Sequence, residues 1–172
     1  MPLKYRVALL TFAAALALDV VSKAAINANL TYADRIPVIE GFFYLTHVRN
    51  TGAAFGMFRD WSVGVRLFLF IGVAIVALGL IIHFLVHLAP RDKLASFACG
   101  MMLGGAAGNL IDRVRFGEVV DFLHFELWGG YSWPDFNFAD TWIVVGVGLL
   151  MLEILATEGD ERSAPESSRS GG

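Results

Sequence analysis

The stretch from residue 104 to residue 141 places several carboxylates within very apolar sequence. Its aspartates are Asp112, Asp121, Asp135 and Asp140. A carboxylate is costly to bury at membrane depth, so an ionisable residue in such a setting is a candidate functional group. Asp121 lies in the run VVDFLHF and Asp140 in the run NFAD. We expect these two side chains to meet at the mouth of a helix bundle.

Two carboxylates held together have a specific chemistry. They can share one proton, because like charges a few ångströms apart cannot both be ionised. The ionised partner can take a proton from water while the protonated partner polarises a carbonyl, as in an aspartic peptidase. Asp140 falls at a predicted helix start, where the dipole favours its ionised form. Such a pair titrates as a unit, so the assignment of the proton stays open.

Each of these residues also has a simpler structural interpretation. Asn137 is a good N-cap, and Asp140, three residues later, resembles the second member of a capping box. Asp121 alone is compatible with a solvated loop acid. Asn109 and Arg113 share a helix face and could satisfy the last carbonyls of the third apolar segment. The paired-carboxylate hypothesis is stronger because it accounts for all of them at one site.

Other reactive groups do not form recognisable sites. The sequence has no glycine-rich phosphate loop and no HExxH motif. His83 and His87 have the spacing of zinc ligands, but no third ligand is evident, and we interpret them as interfacial side chains. Ser22 and Lys23 might suggest a Ser/Lys hydrolase, but they are adjacent on a predicted helix and do not face each other, so they cannot form that dyad. We interpret Cys99 as an inert packed thiol. The sequence thus predicts no metal and no cofactor.

Composition indicates a membrane protein with several spans. Of 172 residues, 56% are hydrophobic and only 17% are charged, and the mean hydropathy is +0.62. Soluble domains are closer to a quarter charged. The net charge of -3 gives no basic surface for nucleic acid, and the single cysteine excludes an intramolecular disulfide.

Four long apolar runs predict four transmembrane helices. They cover about residues 7–26, 65–88, 94–111 and 138–156. The first run carries Asp19 and Lys23 near its end, and we expect it to be retained rather than cleaved as a signal peptide. This pair, four residues apart, can form an ion pair or simply anchor the helix at the interface. Glycines at 100, 104 and 108 predict a smooth ridge for close helix packing.

The segments between the spans are expected to lie outside the membrane. Residues 42–48, FFYLTHV, predict a strand in a small surface sheet, and we expect residues 42–58 to form a mobile lid beside the site. Residues 158–172 predict a disordered tail. Four spans put both termini on one side, with Lys4, Arg6, Arg91 and Lys93. Five arginines then fall on the other side, so charge alone does not fix the orientation. They are Arg35, Arg49, Arg59, Arg113 and Arg115.

Five short motifs follow one another along residues 5–156. The first runs from Leu18-Asp19 to Ser22-Lys23. The others are RNTGAAF at 49–55, GGAAGNLIDR at 104–113, VVDF at 119–122 and FNFAD at 136–140. Together these motifs resemble those of the bacterial lipoprotein signal peptidases (signal peptidase II), aspartic peptidases of the inner membrane.

This resemblance implies an all-α polytopic membrane protein with four transmembrane helices and a small extracytoplasmic β-cradle. The peptidase domain would cover residues 1–157, with extracytoplasmic segments at 27–62 and 114–136. The implied catalytic pair is Asp121 and Asp140. The residues implied to bind substrate or support the site are Asn50, Gly52, Asn109, Arg113, Asn137, Ala139, Asp19, Lys23 and Asp112.

The resemblance also implies a substrate and a location. The substrate would be a prolipoprotein already carrying diacylglycerol on its lipobox cysteine, cut just before that cysteine. The other expected partners are membrane lipid and globomycin-like inhibitors, with no nucleic acid, and the protein is expected to be a monomer. It would lie in the bacterial inner membrane with both termini cytoplasmic and its site toward the extracytoplasmic face. The residues alone leave two alternatives: a small transporter with an aspartate relay, or a structural membrane subunit.

Overall fold

The computed structural model describes residues 1–51 and 61–163, with side chains as far as residue 156. It contains four helices and four strands. The helices are α1 (Leu3–Asn29), α2 (Val63–His87), α3 (Lys93–Phe116) and α4 (Phe138–Ser163). The strands are β1 (Arg35–Ile39), β2 (Phe43–Asn50), β3 (Val119–Glu126) and β4 (Ser132–Phe136). A single 3-10 turn, Trp128–Gly130, joins β3 to β4.

All four predicted spans are present as helices that are long and apolar enough to cross a membrane. Their exposed faces are apolar: Phe68 and Leu80 on α2, for example, project away from the bundle. Lipid would cover these faces, since hydrocarbon is as favourable an environment for them as a protein core. The helix α3 ends at Phe116, beyond the predicted end of its span, so the segment predicted outside the membrane from residue 114 begins as helix.

The helix α3 is the centre of the bundle and the most buried of the four. The predicted glycine ridge is confirmed. A Cβ atom added to Gly100 would lie 2.6 Å from the carbonyl oxygen of Ala8, and one added to Gly104 would lie 2.7 Å from the Cβ of Ala15. An added Cβ at Gly108 would collide with the Asp19 carboxylate. Because these positions have no side chain, α1 can pack directly against the backbone of α3.

The expectation of an all-α fold was too loose, because the strands form one four-stranded antiparallel sheet in the order β1-β2-β3-β4. The predicted strand at 42–48 is confirmed as β2. The predicted lid begins in this strand and continues into residues 52–60, which lie outside the described residues, so its mobility stays a prediction.

The pairing of β2 with β3 attaches the sheet to the bundle. Val48 is paired with Asp121, and Asn50 with Val119. The first half of β3 is buried, where Val120 and Phe122 pack against Ile26 of α1. The opposite end of the sheet is exposed, and Trp128 is 86% accessible there. The sheet therefore anchors Asp121 at the mouth of the bundle.

Candidate active site

Asp121 lies in the buried half of β3, and only 1% of its surface is accessible. Both carboxylate oxygens accept hydrogen bonds from amide groups. Asn50 on β2 donates from Nδ2 to Oδ2 at 2.8 Å, and Asn137 donates from Nδ2 to Oδ1 at 2.7 Å. Two donors from different elements thus fix the orientation of this side chain.

Asp140 lies in the first turn of α4 and completes a capping box with Asn137. The backbone N–H of Asp140 donates to Oδ1 of Asn137 at 3.0 Å, and the backbone N–H of Asn137 donates to Oδ2 of Asp140 at 3.3 Å. The structural interpretation of this pair is therefore confirmed. The other oxygen of Asp140 accepts a hydrogen bond from Nδ2 of Asn109 at 2.8 Å. Asp140 thus caps its helix and also faces the polar end of α3.

Asn137 connects the two aspartates. Its Oδ1 is used by the backbone N–H of Asp140, so its Nδ2 must point the other way, toward Asp121. The same Nδ2 lies 3.2 Å from Oδ1 of Asn109 and 3.2 Å from the carbonyl oxygen of Val120. Asn137 is completely buried. One rigid amide therefore brings together α3, β3 and the start of α4.

Lys23 is the centre of a second cluster, which is joined to the first through Asn109. Its Nζ lies 2.7 Å from Oδ2 of Asp19, 3.0 Å from Oδ2 of Asp112 and 2.9 Å from Oδ1 of Asn109. An ammonium group has three hydrogens and no lone pair, so it fixes Asn109 with its oxygen toward Lys23 and its Nδ2 toward Asp140. The ion pair between Lys23 and Asp19 is therefore formed, and it is buried, since Lys23 is 3% accessible and Asp19 is 0% accessible. The alternative interpretation, that the pair only anchors the helix at the membrane interface, was wrong.

The two carboxylates of this cluster hold the backbone beside the two candidate catalytic residues. Oδ1 of Asp19 accepts from the backbone N–H of Ala139 at 2.9 Å, and Oδ2 of Asp112 accepts from that of Val120 at 3.2 Å. Ala139 precedes Asp140, and Val120 precedes Asp121. Breaking a buried ion pair costs about 3–5 kcal/mol, so these two attachment points are strongly held.

Arg113 lies at the edge of the site. Its Nη1 donates to the backbone oxygen of Asn109 at 3.1 Å, and its guanidinium lies 5.5 Å from the centre of the Phe70 ring on α2. The expected common face of Asn109 and Arg113 is therefore present. Within the described ranges this is the one hydrogen bond of the Arg113 side chain, so its other guanidinium N–H groups could contact a bound molecule.

The pKa of Asp121 is raised to about 7, chiefly by burial, and the negative charge of Asp140 acts in the same direction. The hydrogen bonds from Asn50 and Asn137 act against this increase. Near neutral pH, Asp121 is thus the partner that readily holds a proton. Asp140 accepts hydrogen bonds on both of its oxygens and lies at the N-terminus of α4, where the helix dipole is positive.

Nearly all of the predicted site residues converge. Asp121, Asp140 and Asn50 meet with Asn109, Asn137 and Ala139, and the Lys23 cluster lies behind them. Gly52 lies outside the described residues.

Asp135, from the same acidic stretch, lies elsewhere in the sheet, where its Oδ1 accepts from Thr46 at 2.6 Å and is 3.3 Å from Nδ1 of His124. Reasoning from the sequence did not identify the backbone N–H and carbonyl of Val120, which bond to Asp112 and Asn137. The one signal for them in the sequence was that Val120 directly precedes Asp121.

Comparison with known proteins identifies the family. A family model described as Signal peptidase (SPase) II matches residues 11–156. The chain belongs to this family. It is therefore a peptidase with several membrane spans, in agreement with the resemblance of its motifs.

Relatives called lipoprotein signal peptidase are similar over most of their length. That of Geobacter sulfurreducens is 44% identical over 161 residues, which cover 94% of this chain and 98% of the relative. That of Syntrophotalea carbinolica is 44% identical over 150 residues, which cover 87% and 91%. A solved bacterial membrane enzyme has the same fold, with a TM-score of 0.80 and 30% identity over 92% of this chain and 93% of its own. A second has a TM-score of 0.77 and 32% identity, over 86% and 92%.

Proposed function

We propose that this member of the signal peptidase II family removes the signal peptide from prolipoproteins by using Asp121 and Asp140 as an aspartic dyad. The observation that supports this most directly is the connection between the two carboxylates through the buried amide of Asn137. Two acids on different elements, β3 and α4, are held by dedicated donors at the junction of sheet and bundle. An acid that served only as a helix cap would not need a connection to a second carboxylate.

The proposed chemistry is hydrolysis by an activated water. Ionised Asp140 takes a proton from water, and protonated Asp121 donates a hydrogen bond to the oxygen of the scissile carbonyl. The water oxygen bonds to the carbonyl carbon, and the C–N bond then breaks while the leaving amine takes up a proton from the dyad. Asn109 and Asn137 keep the two carboxylates in place during this exchange, and no metal enters the reaction.

The substrate is a prolipoprotein that already carries diacylglycerol on its cysteine, and cleavage occurs just before that cysteine. The dyad lies where the sheet joins the apolar bundle, so the acyl chains of such a substrate can remain in lipid during cleavage. The polar groups of Asn50 and Arg113 are close enough to the dyad to bind peptide carbonyls. Globomycin-like peptides occupy the same site.

The protein is a monomer in the inner membrane, and residues 1–157 form the peptidase domain. Residues 158–172 form a cytoplasmic tail, which begins as the last turns of α4, up to Ser163, rather than as the disordered segment expected from the sequence. Both termini are cytoplasmic, and the sheet and dyad face the extracytoplasmic side.

The test is cleavage of a diacylated prolipoprotein by purified protein in detergent, followed as a gel shift. Asp121→Asn and Asp140→Asn should each lose nearly all activity at matched protein level, because an amide can neither share the proton nor activate water. The matched control is Asp135→Asn, which removes a carboxylate from the same stretch but away from the dyad. Near-normal turnover by either dyad variant would remove that residue from the mechanism.

A second control addresses the substrate. The same prolipoprotein without diacylglycerol should be cleaved far more slowly by the parent protein. Equal cleavage of both forms would contradict the proposed requirement for lipidation while leaving the dyad intact.

A further inference from the structure

A cavity of about 330 Å³ opens between the ends of α1 and α3 that lie nearest the sheet. Val20 and Ala24 of α1 and Ile111 of α3 supply apolar walls. Lys23 and Asp112, paired with each other, lie at its polar side. Asn27 and Arg115 complete the polar part near the helix ends. The cavity therefore combines an apolar wall at membrane depth with polar groups at the level of the interface.

Two arginine side chains meet at the ring of Phe116, which also lines this cavity. The guanidinium carbon of Arg49 lies 5.2 Å from the ring centre, and that of Arg115 lies 5.1 Å from it. Arg49 donates to the neutral Oδ1 of Asn27 at 2.8 Å. Among the described residues, Arg115 contacts this ring and is paired with no carboxylate. Two positive charges thus lie close to one aromatic ring without a carboxylate partner among the described residues.

The buried charges nearby do not provide that partner. Lys23 is shared between Asp19 and Asp112, and both of these carboxylates also accept backbone hydrogen bonds. This trio has a formal charge of minus one, and the two arginines contribute plus two. One unit of positive charge therefore remains at the mouth of the cavity, and a phosphodiester, which carries one negative charge, would neutralise it.

We propose that this cavity binds the headgroup phosphate of an anionic phospholipid, with Arg115 and Arg49 as phosphate ligands. Guanidinium groups match phosphate oxygens in geometry and charge. One acyl chain lies along Val20, Ala24 and Ile111, and the phosphate stays near Phe116 at the interface. Basic pockets between transmembrane helices are suited to anionic lipid headgroups. This inference concerns lipid binding and does not depend on the peptidase reaction.

The test measures retained lipid rather than cleavage. Purified, delipidated protein is mixed with equal amounts of phosphatidylglycerol and phosphatidylcholine, and bound lipid is counted by native mass spectrometry. The parent should retain one phosphatidylglycerol in preference to phosphatidylcholine. Arg115→Gln should lower this retention by about tenfold, as expected when a charge-assisted hydrogen bond is lost. Arg115 is exposed, so this substitution should not prevent folding.

The matched control is Arg66→Gln, which removes the same charge at the sheet end of α2. Arg66 does not line this cavity, and its Nη1 donates to Oγ1 of Thr51 at 3.4 Å. Its substitution should leave retention unchanged. Equal retention by the parent and Arg115→Gln, or an equal loss in both arginine variants, would overturn the proposal.

Two further measurements distinguish a lipid site from a site for any anion. Ala24→Phe fills the space beside the apolar wall without changing the charge and should also lower retention of phosphatidylglycerol. Inorganic phosphate in excess should not displace phosphatidylglycerol, because phosphate has no acyl chain to pack against the apolar wall. Full displacement by phosphate, or normal retention by a folded Ala24→Phe variant, would contradict binding of a lipid.

Discussion

The two candidate catalytic aspartates are positioned by groups with little freedom to move. Asn137 holds Asp121 and caps α4 with the same side chain, so displacement of one aspartate disturbs the other. Lys23 fixes the amide of Asn109, which in turn holds Asp140. Such preorganised donors keep the dyad in place before substrate binds, and electrostatic preorganisation is commonly a large contribution to catalysis.

The pKa of Asp121 leads to a prediction about pH. Burial keeps its folded-state pKa near 7, above the usual value for aspartate, so the carboxyl stays protonated below about pH 7. Above that pH Asp121 loses its proton, and the carbonyl loses its hydrogen-bond donor. We therefore expect kcat/KM to fall as pH rises through about 7. The measurement is a profile from about pH 5 to about pH 9 in detergent.

The position of this decline can be moved by Asn50. Its hydrogen bond favours the ionised form and lowers the pKa of Asp121, so Asn50→Leu should shift the decline to higher pH. The control is Asn29→Leu, because Asn29 is exposed at the end of α1 and, among the described residues, its side chain bonds only to the backbone oxygen of Ala25. A decline at unchanged pH in the Asn50 variant would exclude Asp121 as the titrating group.

Much of this site was accessible from the sequence, but its connections were not. The spacing of Asp19 and Lys23 allowed an ion pair as one of two interpretations, and the capping-box pattern indicated the local bonds of Asn137 and Asp140. Spacing could not show that Lys23 binds Asn109, which is 86 positions away. It also could not show that Asp112 holds a backbone N–H of β3. Those contacts depend on the packing of α1 against α3.

At the scale of elements, the helices were predictable and the sheet was only partly so. Long apolar runs identify spans by length alone. Of the strands, the aromatic run of β2 was predicted, whereas β1 and β4 are short and contain Pro37 and Pro134. Both are edge strands, where a missing N–H is tolerated. Their prolines obscured the strand pattern in the sequence.

The packing of α1 on α3 leads to a prediction about glycine. Gly104→Leu should lower the melting temperature in detergent, because a side chain there collides with the Cβ of Ala15. Overpacking of this kind costs about 1–3 kcal/mol or more. The control is Gly79→Leu on α2, where an added Cβ would have no neighbour within 4 Å. Equal melting temperatures for the parent and Gly104→Leu would show that this ridge does not set the spacing of the helices.

At the scale of the whole molecule, the contacts of the charged residues bear on the orientation in the membrane. At the sheet end, Arg35 pairs with Glu126, and Arg113 is half-buried beside Phe70. At the other end, Arg6, Arg91 and Lys93 are exposed. Of the opposing arginines noted in the sequence, Arg35 is thus partly neutralised and Arg113 is withdrawn from water, whereas Arg115 is exposed. The exposed positive charge then favours a cytoplasmic location for the end that carries Arg91.

This orientation can be tested by labelling introduced cysteines with a membrane-impermeant maleimide in intact cells. Cys99 is completely buried, so the parent should give little background. Trp128→Cys, at the exposed end of the sheet, should be labelled without permeabilising the inner membrane. Arg91→Cys, in the turn between α2 and α3, should be labelled only after permeabilisation, which also provides the control that its thiol is reactive. The reverse pattern would place the sheet and the dyad on the cytoplasmic side and would contradict the proposed orientation.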